Sequence, residues 1–314
     1  MTISLHPDTP EGRALAGSAA AGADPAEGAS LGGRVRSRLF IKYVVLFVAV
    51  VAVALLSNGI FEVFFYYREH KAALIRIQHE QAEAAAAKIS QFIKEIESQL
   101  GWTTQLPWTA ADPAEQKRAL EQRRFDALRL LRQVPAITEL AQVDSTGHER
   151  LRVSRLAMDV VDSGVDLSKE PKFTETVAKK IYYGPVYLRR ESEPYMTLGL
   201  AGTRSDAGVS VVELNLNLIW EIVHQTKVGN RGVAYVVDAG GRVIAHPDFA
   251  VRKSLRDLST LAQVQEALTT TALTGSGHIT RDMNDQKVVA AYARVAGPGW
   301  LVFVELPIEE WTKN

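Results

Sequence analysis

The sequence of 314 residues contains no cysteine. Disulfide bonds, thiol nucleophiles and cysteine-ligated zinc are therefore excluded. It also has no excess charge of one sign, because 36 lysine and arginine residues balance 36 aspartate and glutamate residues. Since a nucleic-acid-binding protein needs a basic face, we expect no nucleic-acid partner. The motifs of P-loop proteins, zinc proteases, serine hydrolases and dinucleotide-binding enzymes are also missing. We therefore expect no enzymatic activity in this chain, no metal and no cofactor.

Charged residues are absent from one long segment. Residues 43–61 read YVVLFVAVVAVALLSNGIF. A helix of this length covers about 30 Å, which matches the hydrocarbon thickness of a bilayer. The apolar run is longer than that of a cleavable signal peptide and starts too far from the N-terminus. We therefore predict an uncleaved transmembrane helix over residues 39–67, rather than a buried helix of a soluble domain.

The charges that flank this segment predict its orientation. Basic residues stand directly before the apolar run, and they are Arg34, Arg36, Arg38 and Lys42. Because positively charged residues remain in the cytoplasm, we expect an inner (plasma) membrane protein with a cytoplasmic N-terminus and with the residues after about 67 extracytoplasmic. Residues 1–38 are rich in alanine, glycine, proline and serine. They are predicted to form a disordered cytoplasmic tail.

Two helices are predicted after the membrane. Residues 68–100 contain no proline or glycine, and apolar residues recur at helical spacing, which predicts a long stalk helix over residues 68–102. Its apolar face comprises Ile75, Ala82, Ile89, Phe92, Ile96 and Leu100. Because so long a helix needs a partner surface, we expect a stalk that forms a homodimer through this face and along which the rest of the domain packs, the alternative being an isolated stalk. A second helix is predicted over residues 113–133, with Asp112 as N-cap.

The remainder of the chain contains two copies of one unit. Residues 140–153, LAQVDSTGHERLRV, align without gaps with residues 234–247, AYVVDAGGRVIAHP. A second pair of similar segments contains Glu213 and Glu305. These segments are separated by nearly the same number of residues as the first pair. Each copy is predicted to contain a hairpin, a helical segment near 173–180 or 258–270, and three further strands.

The chemistry of the repeated hairpin favours a scaffold role. Asp144 corresponds to Asp238 and Gly147 to Gly241, and a tight turn requires residues of these types. Asp-x-x-Gly therefore indicates turn formation rather than catalysis. His246 and Asp248 are two residues apart with no companion ligand nearby, so they are not predicted to bind a metal.

This organisation resembles the double Cache sensor domains of bacterial transmembrane receptors. The resemblance rests on the run around 235–248, on GPVY at 184–187 and on VELNL at 212–216, and it covers residues 68–311. It implies an α+β fold in which the transmembrane helix and the stalk helix precede two tandem PAS-like antiparallel sheets. The implied units are a membrane-distal one over 103–226 and a membrane-proximal one over 227–311.

The resemblance also implies a function and a site. Double Cache domains bind small molecules outside the cell, usually in the membrane-distal unit. The polar residues expected near that pocket are Arg152, Lys172, Tyr183, Tyr187, Tyr195 and Thr197. Many amino-acid sensors carry an Arg-x-Trp-Tyr motif, but residues 167–177 read LSKEPKFTETV here. A free amino acid is therefore not the expected ligand, and a small polar or anionic molecule is.

The type of receptor is a further expectation. We expect the sensing region of a histidine kinase, with a chemoreceptor, a cyclase or a phosphatase as alternatives. A membrane-anchored interaction module, whose pocket is filled by side chains, is a hypothesis of a different class. The second transmembrane helix and the output domain that the resemblance implies do not lie within residues 1–314. We therefore expect a fragment of a longer receptor or a truncated sensor.

Overall fold

A computed structural model of the protein describes residues 36–105, 108, 112–190, 193–204, 206–226 and 228–311. Most of the predicted N-terminal tail lies outside the described residues. Residues 1–64 and 65–314 form two separate compact units. The described part of the first belongs to helix α1 (Arg36–Thr103). Within it, the segment Phe40–Glu62 has a mean hydropathy of 2.6 and none of its surface buried, and it is long and apolar enough to cross a membrane.

The second unit contains two antiparallel sheets and the helices that pack on them. The helices after α1 are α2 (Pro113–Gln133), α3 (Pro171–Lys179), α4 (Asn217–Gln225), α5 (Phe249–Lys253), α6 (Ala262–Thr269) and α7 (Ile308–Trp311). The strands of the first sheet are β1 (Ile137–Val143), β2 (Glu149–Ser154), β3 (Val160–Val161), β4 (Ile181–Tyr183), β5 (Tyr187–Arg189), β6 (Glu193–Ala201) and β7 (Val209–Asn215). The strands of the second sheet are β8 (Val233–Val237), β9 (Val243–Ala245), β10 (Thr274–Arg281), β11 (Lys287–Arg294) and β12 (Leu301–Pro307).

The two sheets share one topology, which confirms the predicted repeat. The first has the order β3-β2-β1-β7-β6-β4, with β5 also paired to β6, and the second has the order β9-β8-β12-β11-β10. In both, the first two strands form a hairpin and the last strand lies in the middle. The fold is therefore α+β with tandem PAS-like sheets, as predicted.

The repeated turn has the structural role that the sequence predicts. The Asp144 carboxylate accepts the backbone N–H groups of Thr146 and His148, and the Asp238 carboxylate accepts those of Gly240 and Arg242. Gly147 and Gly241 adopt φ angles of +92° and +84°, which favour glycine. A Cβ atom on Gly147 would also lie 2.6 Å from Ser168 Cβ. The motif therefore shapes the turn.

One face of each sheet packs on α1, and we call it the α1 face. Residues at 82, 85, 86, 89, 93, 96 and 100 of α1 are buried in a hydrophobic core together with residues of both sheets. Ile89 and Ile96 are 0% and 1% exposed within a single chain. The expectation that this apolar face pairs with a second copy is therefore wrong, because the chain's own sheets already cover it.

The opposite faces carry separate, smaller cores. On the first sheet, Phe173 of α3 packs against Val209 and Val211 of β7, and we call this the α3 face. On the second sheet, Val264 and Ala267 of α6 pack against Phe303 of β12. Most of the polar residues that the sequence predicts near the ligand pocket lie on these outer faces.

Candidate functional site

Polar side chains converge on the α3 face of the first sheet. Cross-strand pairing places Thr197 of β6 opposite Glu213 of β7, and Tyr187 of β5 opposite Tyr195 of β6. Side chains two residues apart along a strand share a face, so Tyr195, Thr197 and Glu213 project to the same side. With Tyr187 and Asn215 they form a group that we call the Glu213 cluster.

Glu213 is the acceptor at the centre of this cluster. Tyr187 donates its hydroxyl to Glu213 Oε2 at 2.5 Å, and Thr197 donates to Glu213 Oε1 at 2.8 Å. Burial and the bond to Glu213 raise the pKa of Tyr187, so its hydroxyl stays protonated and remains a donor. The Glu213 side chain is only half-buried. A carboxylate has about four acceptor positions, so Glu213 can still accept a hydrogen bond from a ligand.

Tyr195 extends the cluster along the sheet. Its hydroxyl accepts a hydrogen bond from Asn215 Nδ2 and donates one to Glu193 Oε2, both at 3.3 Å. The Arg189 guanidinium lies over the Tyr195 ring, with Cζ 5.2 Å from the centroid. Arg189 Nη1 is buried and has no hydrogen-bond partner among the described residues. The Glu193 carboxylate and Arg189, whose Nη1 has no partner in the part of the chain that the structure describes, therefore both lie next to Tyr195.

Helix α3 lies close to β6 because of one glycine. A Cβ atom on Gly199 would lie 2.1 Å from Thr176 Oγ1 and 3.2 Å from the Lys172 carbonyl oxygen. Any larger residue at 199 would push α3 away from the strand that also carries Tyr195 and Thr197. Gly199 therefore allows α3 to lie close to β6, and it was not predicted as a functional residue because a glycine within a strand has no single meaning.

The structure places the remaining predicted residues differently. Arg152 lies on β2 and forms an ion pair with the buried Glu149 at 2.6 Å, and Glu139 is 3.9 Å away. Its guanidinium is therefore largely engaged within the chain. Lys172 lies on α3, half-buried.

Tyr183 lies on the α1 face and not in the cluster. Its hydroxyl donates to Glu97 Oε1 of α1. Strict alternation would place Tyr183 and Tyr187 on one side, but Tyr183 pairs with Leu198 whereas Tyr187 pairs with Tyr195. The break between β4 and β5 thus shifts the register by one residue, and a shift of one residue reverses the face of every side chain that follows.

Glu213, Asn215 and Arg189 were not predicted as site residues. A signal for Glu213 was present, because it aligns with Glu305 in the repeat. The strand alternation that joins Tyr195 to Thr197 also joins Glu213 to Asn215. Arg189 carried no signal, since its role depends on the separate pairing of β5 with β6.

The Cache domain model dCache_1 matches residues 66–314, which include both sheets. The chain belongs to the Cache domain family. A Cache domain is a ligand-binding sensor domain and not a catalytic one, so this region has a sensor role at a membrane.

Solved structures with the same fold come from two kinds of receptor. The ligand-binding domain of the Pseudomonas aeruginosa PAO1 amino acid chemoreceptor PctC, in complex with GABA, is 18% identical, with a TM-score of 0.52 over 72% of this chain and 96% of that one. The sensory domain of the Campylobacter jejuni chemoreceptor Tlp3 with isoleucine bound is 14% identical, with a TM-score of 0.53 over 82% and 97%.

The other kind is a histidine kinase. The extracellular domain of mmHK1S-Z2, which is assigned as a histidine kinase, is 14% identical, with a TM-score of 0.58 over 75% of this chain and 99% of that one. At such identities the similarity of these Cache domains establishes a shared fold. No curated protein sequence matches the chain.

Proposed function

We propose that residues 68–311 form the extracytoplasmic sensing region of a membrane receptor and bind a small zwitterion on the α3 face of the first sheet. The observation that carries the proposal is that an acidic and a basic side chain both lie on this face. Glu213 is a half-buried carboxylate with acceptor capacity, and Arg189 has a buried donor that has no partner among the described residues. Glu213 would accept hydrogen bonds from an ammonium group, and Arg189 would hold a carboxylate.

This proposal differs from the sequence expectation of a ligand other than a free amino acid. That expectation rested on the missing Arg-x-Trp-Tyr motif, whereas the structure supplies an arginine from β5. Arg152, which the sequence favoured as a carboxylate partner, is engaged by Glu149. The ligands in the chemoreceptor structures, GABA and isoleucine, also carry both an amine and a carboxylate.

A thermal-shift screen tests this proposal. The full chain in detergent is heated with GABA, L-isoleucine, L-arginine and related amines and acids. A true ligand at a hundredfold excess over its Kd stabilises the fold by about 2.7 kcal/mol through mass action. Glu213→Gln and Arg189→Gln are each expected to weaken binding at least tenfold.

Tyr292→Phe is the matched control. Tyr292 is buried in the core of the second sheet against Phe303, and its ring is 5.8 Å from that of Phe303. This variant should keep the ligand response. Equal loss in all three variants, or no stabilising compound, would contradict the proposed site, and the latter outcome would favour a membrane-anchored interaction module.

We propose a histidine kinase as the receptor type. Its support is that a histidine kinase and chemoreceptors share this sensor fold. The coding sequence downstream of Asn314 tests the assignment. A kinase domain there would support it, and a methyl-accepting, cyclase or phosphatase domain would overturn it while leaving the sensor proposal intact.

A further inference from the structure

A groove of about 710 Å³ lies between α4, which follows the first sheet, and α5, which follows strand β9 of the second. The Glu213 cluster does not line it, although Glu193, the hydrogen-bond partner of Tyr195, does. The residues on which the argument depends are Glu193, Leu218, Trp220, Glu221, Phe249 and Arg252. Their chemistry is unusual in two respects.

The first is a buried arginine. Arg252 is only 8% exposed. Its guanidinium lies 4.3 Å from the centroid of the Trp220 ring and 5.1 Å from that of Phe249. Its Nε has no hydrogen-bond partner, and no acidic side chain pairs with it among the described residues. Burial lowers the pKa of Arg252, but an arginine remains protonated in proteins.

The second is an indole donor without an acceptor. Trp220 Nε1 is buried and has no partner within the described ranges. Buried tryptophan N–H groups usually find an acceptor, and an unsatisfied one requires an explanation. Stacking on an aromatic ring offsets only part of the cost of burying a charge. Arg252 and Trp220, which both line this groove, thus each have a buried donor with no partner among the described residues.

The other groups in the groove restrict the ligand. Glu193 and Glu221 are carboxylates, so they would repel a dianion such as phosphate more than a single negative charge. Leu218 and Phe249 are 43% and 53% exposed, and they provide an apolar wall. The fitting ligand therefore has one carboxylate and an apolar body.

We propose that the groove between α4 and α5 is a binding site for a small apolar monocarboxylate, whose carboxylate accepts hydrogen bonds from Arg252 and Trp220. The two donors are then satisfied by one group. Helix α4 follows β7, the strand that carries Glu213, and helix α5 follows β9 of the second sheet. A ligand in the groove between α4 and α5 therefore contacts one helix from each sheet. The site provides a second input to the sensor, and Glu193, which accepts the Tyr195 hydroxyl, links it to the Glu213 cluster.

Fluorine NMR on the full chain in detergent tests this site locally. The tryptophans are replaced by 5-fluorotryptophan, and Trp220→Phe identifies the Trp220 resonance. Butyrate is the probe, 1-butanol has the same apolar body without the charge, and sodium chloride controls for ionic strength. Butyrate should shift the Trp220 resonance saturably, whereas butanol and chloride should not.

Matched arginine variants complete the test. Arg252→Gln should weaken the butyrate response at least tenfold, and Arg204→Gln, which removes an exposed arginine paired with Asp206, should retain it. If circular dichroism shows that Arg252→Gln does not fold, Arg252→Lys replaces it, with the same expected weakening because lysine lacks the planar N–H groups. The absence of a saturable shift in the native chain, an equal response to butanol, or a full response in the folded Arg252 variant would overturn the proposal.

Discussion

The same glutamate position has different chemistry in the two sheets. Glu213 and Glu305 both lie on the last strand of their sheet, opposite Thr197 and Ala290 respectively. Glu213 is half-buried, whereas Glu305 is 5% exposed and accepts hydrogen bonds from Tyr235 and Gln263 within the fold. The second sheet thus satisfies its glutamate internally, which leaves the first as the better candidate for binding.

Burial of Glu305 predicts a specific dependence of stability on pH. Burial raises the pKa of Glu305 above its ordinary value of 4.5, against the opposing effect of the Tyr235 and Gln263 hydrogen bonds. Between 4.5 and this raised pKa, the folded chain retains a proton that the unfolded chain releases. The free energy of unfolding therefore falls as pH rises through that window, by about 1.4 kcal/mol per unit of pKa difference.

Glu305→Gln should remove this fall. The measurement is the unfolding midpoint of the native chain and the variant from pH 4 to pH 8. Glu121→Gln on the exposed side of α2 should follow the native curve. Parallel curves for the native chain and the Glu305 variant would show that this carboxyl does not produce the pH dependence.

At the scale of elements, α1 determines where a second copy can bind. Its apolar face is buried by the chain's own sheets, and its exposed side includes Ala84 and Ala87. A homodimer through this helix, which we continue to propose, must therefore use the exposed side. The absence of native cysteine makes the question directly testable.

Single cysteines report which side pairs. We expect Ala84→Cys or Ala87→Cys to form a disulfide between chains under mild oxidation in membranes, and Ile89→Cys and Ile96→Cys not to do so. Non-reducing electrophoresis measures the dimer. Cross-linking of Ile89→Cys in a folded protein would contradict the packing of α1, and failure at every exposed position would remove the support for a dimer along this helix.

Elements with strong local signals could be predicted from the sequence. Helix α2 begins and ends at the predicted residues. Its start was predictable because Asp112 caps it and Pro113 occupies the first turn. Helix α4 was missed, because the residues around 209–220 alternate like a strand. In the structure β7 ends at Asn215, whose side chain accepts the Asn217 N–H and turns the chain into the helix. Helix α5 has only five residues, too few to show a helical period.

The site was less predictable than the fold, for a physical reason. Tyr195 and Thr197 were both predicted near the pocket, and they share a face because they lie two residues apart on β6. The placement of Tyr183 depended on a one-residue shift between β4 and β5, and the availability of Arg152 depended on its pairing with Glu149. Neither register across a break nor the choice of ion-pair partner is encoded locally.

At the scale of the whole molecule, the orientation in the membrane is a prediction. Arg34, Arg36 and Arg38 precede the segment Phe40–Glu62, and Lys42 lies near its start, so residues 68–314 are expected outside the cytoplasm. A reporter that is active only in the cytoplasm should be silent when fused after Asn314 and active when fused before Met1. The reverse pattern would invert the orientation and exclude an extracytoplasmic sensor.

The central position of each sheet's last strand has a consequence for biogenesis. β7 lies between β1 and β6, and β12 lies between β11 and β8. Neither sheet can close until its final strand has been delivered, and the pairing of Glu139 with Glu213 joins distant parts of the chain. Such non-local pairing makes folding slow and leaves strand edges exposed in the meantime. A chain emerging N-terminus first must therefore hold β1 unpaired on the side that β7 will occupy, and this interval is when aggregation and proteolysis compete most strongly with folding.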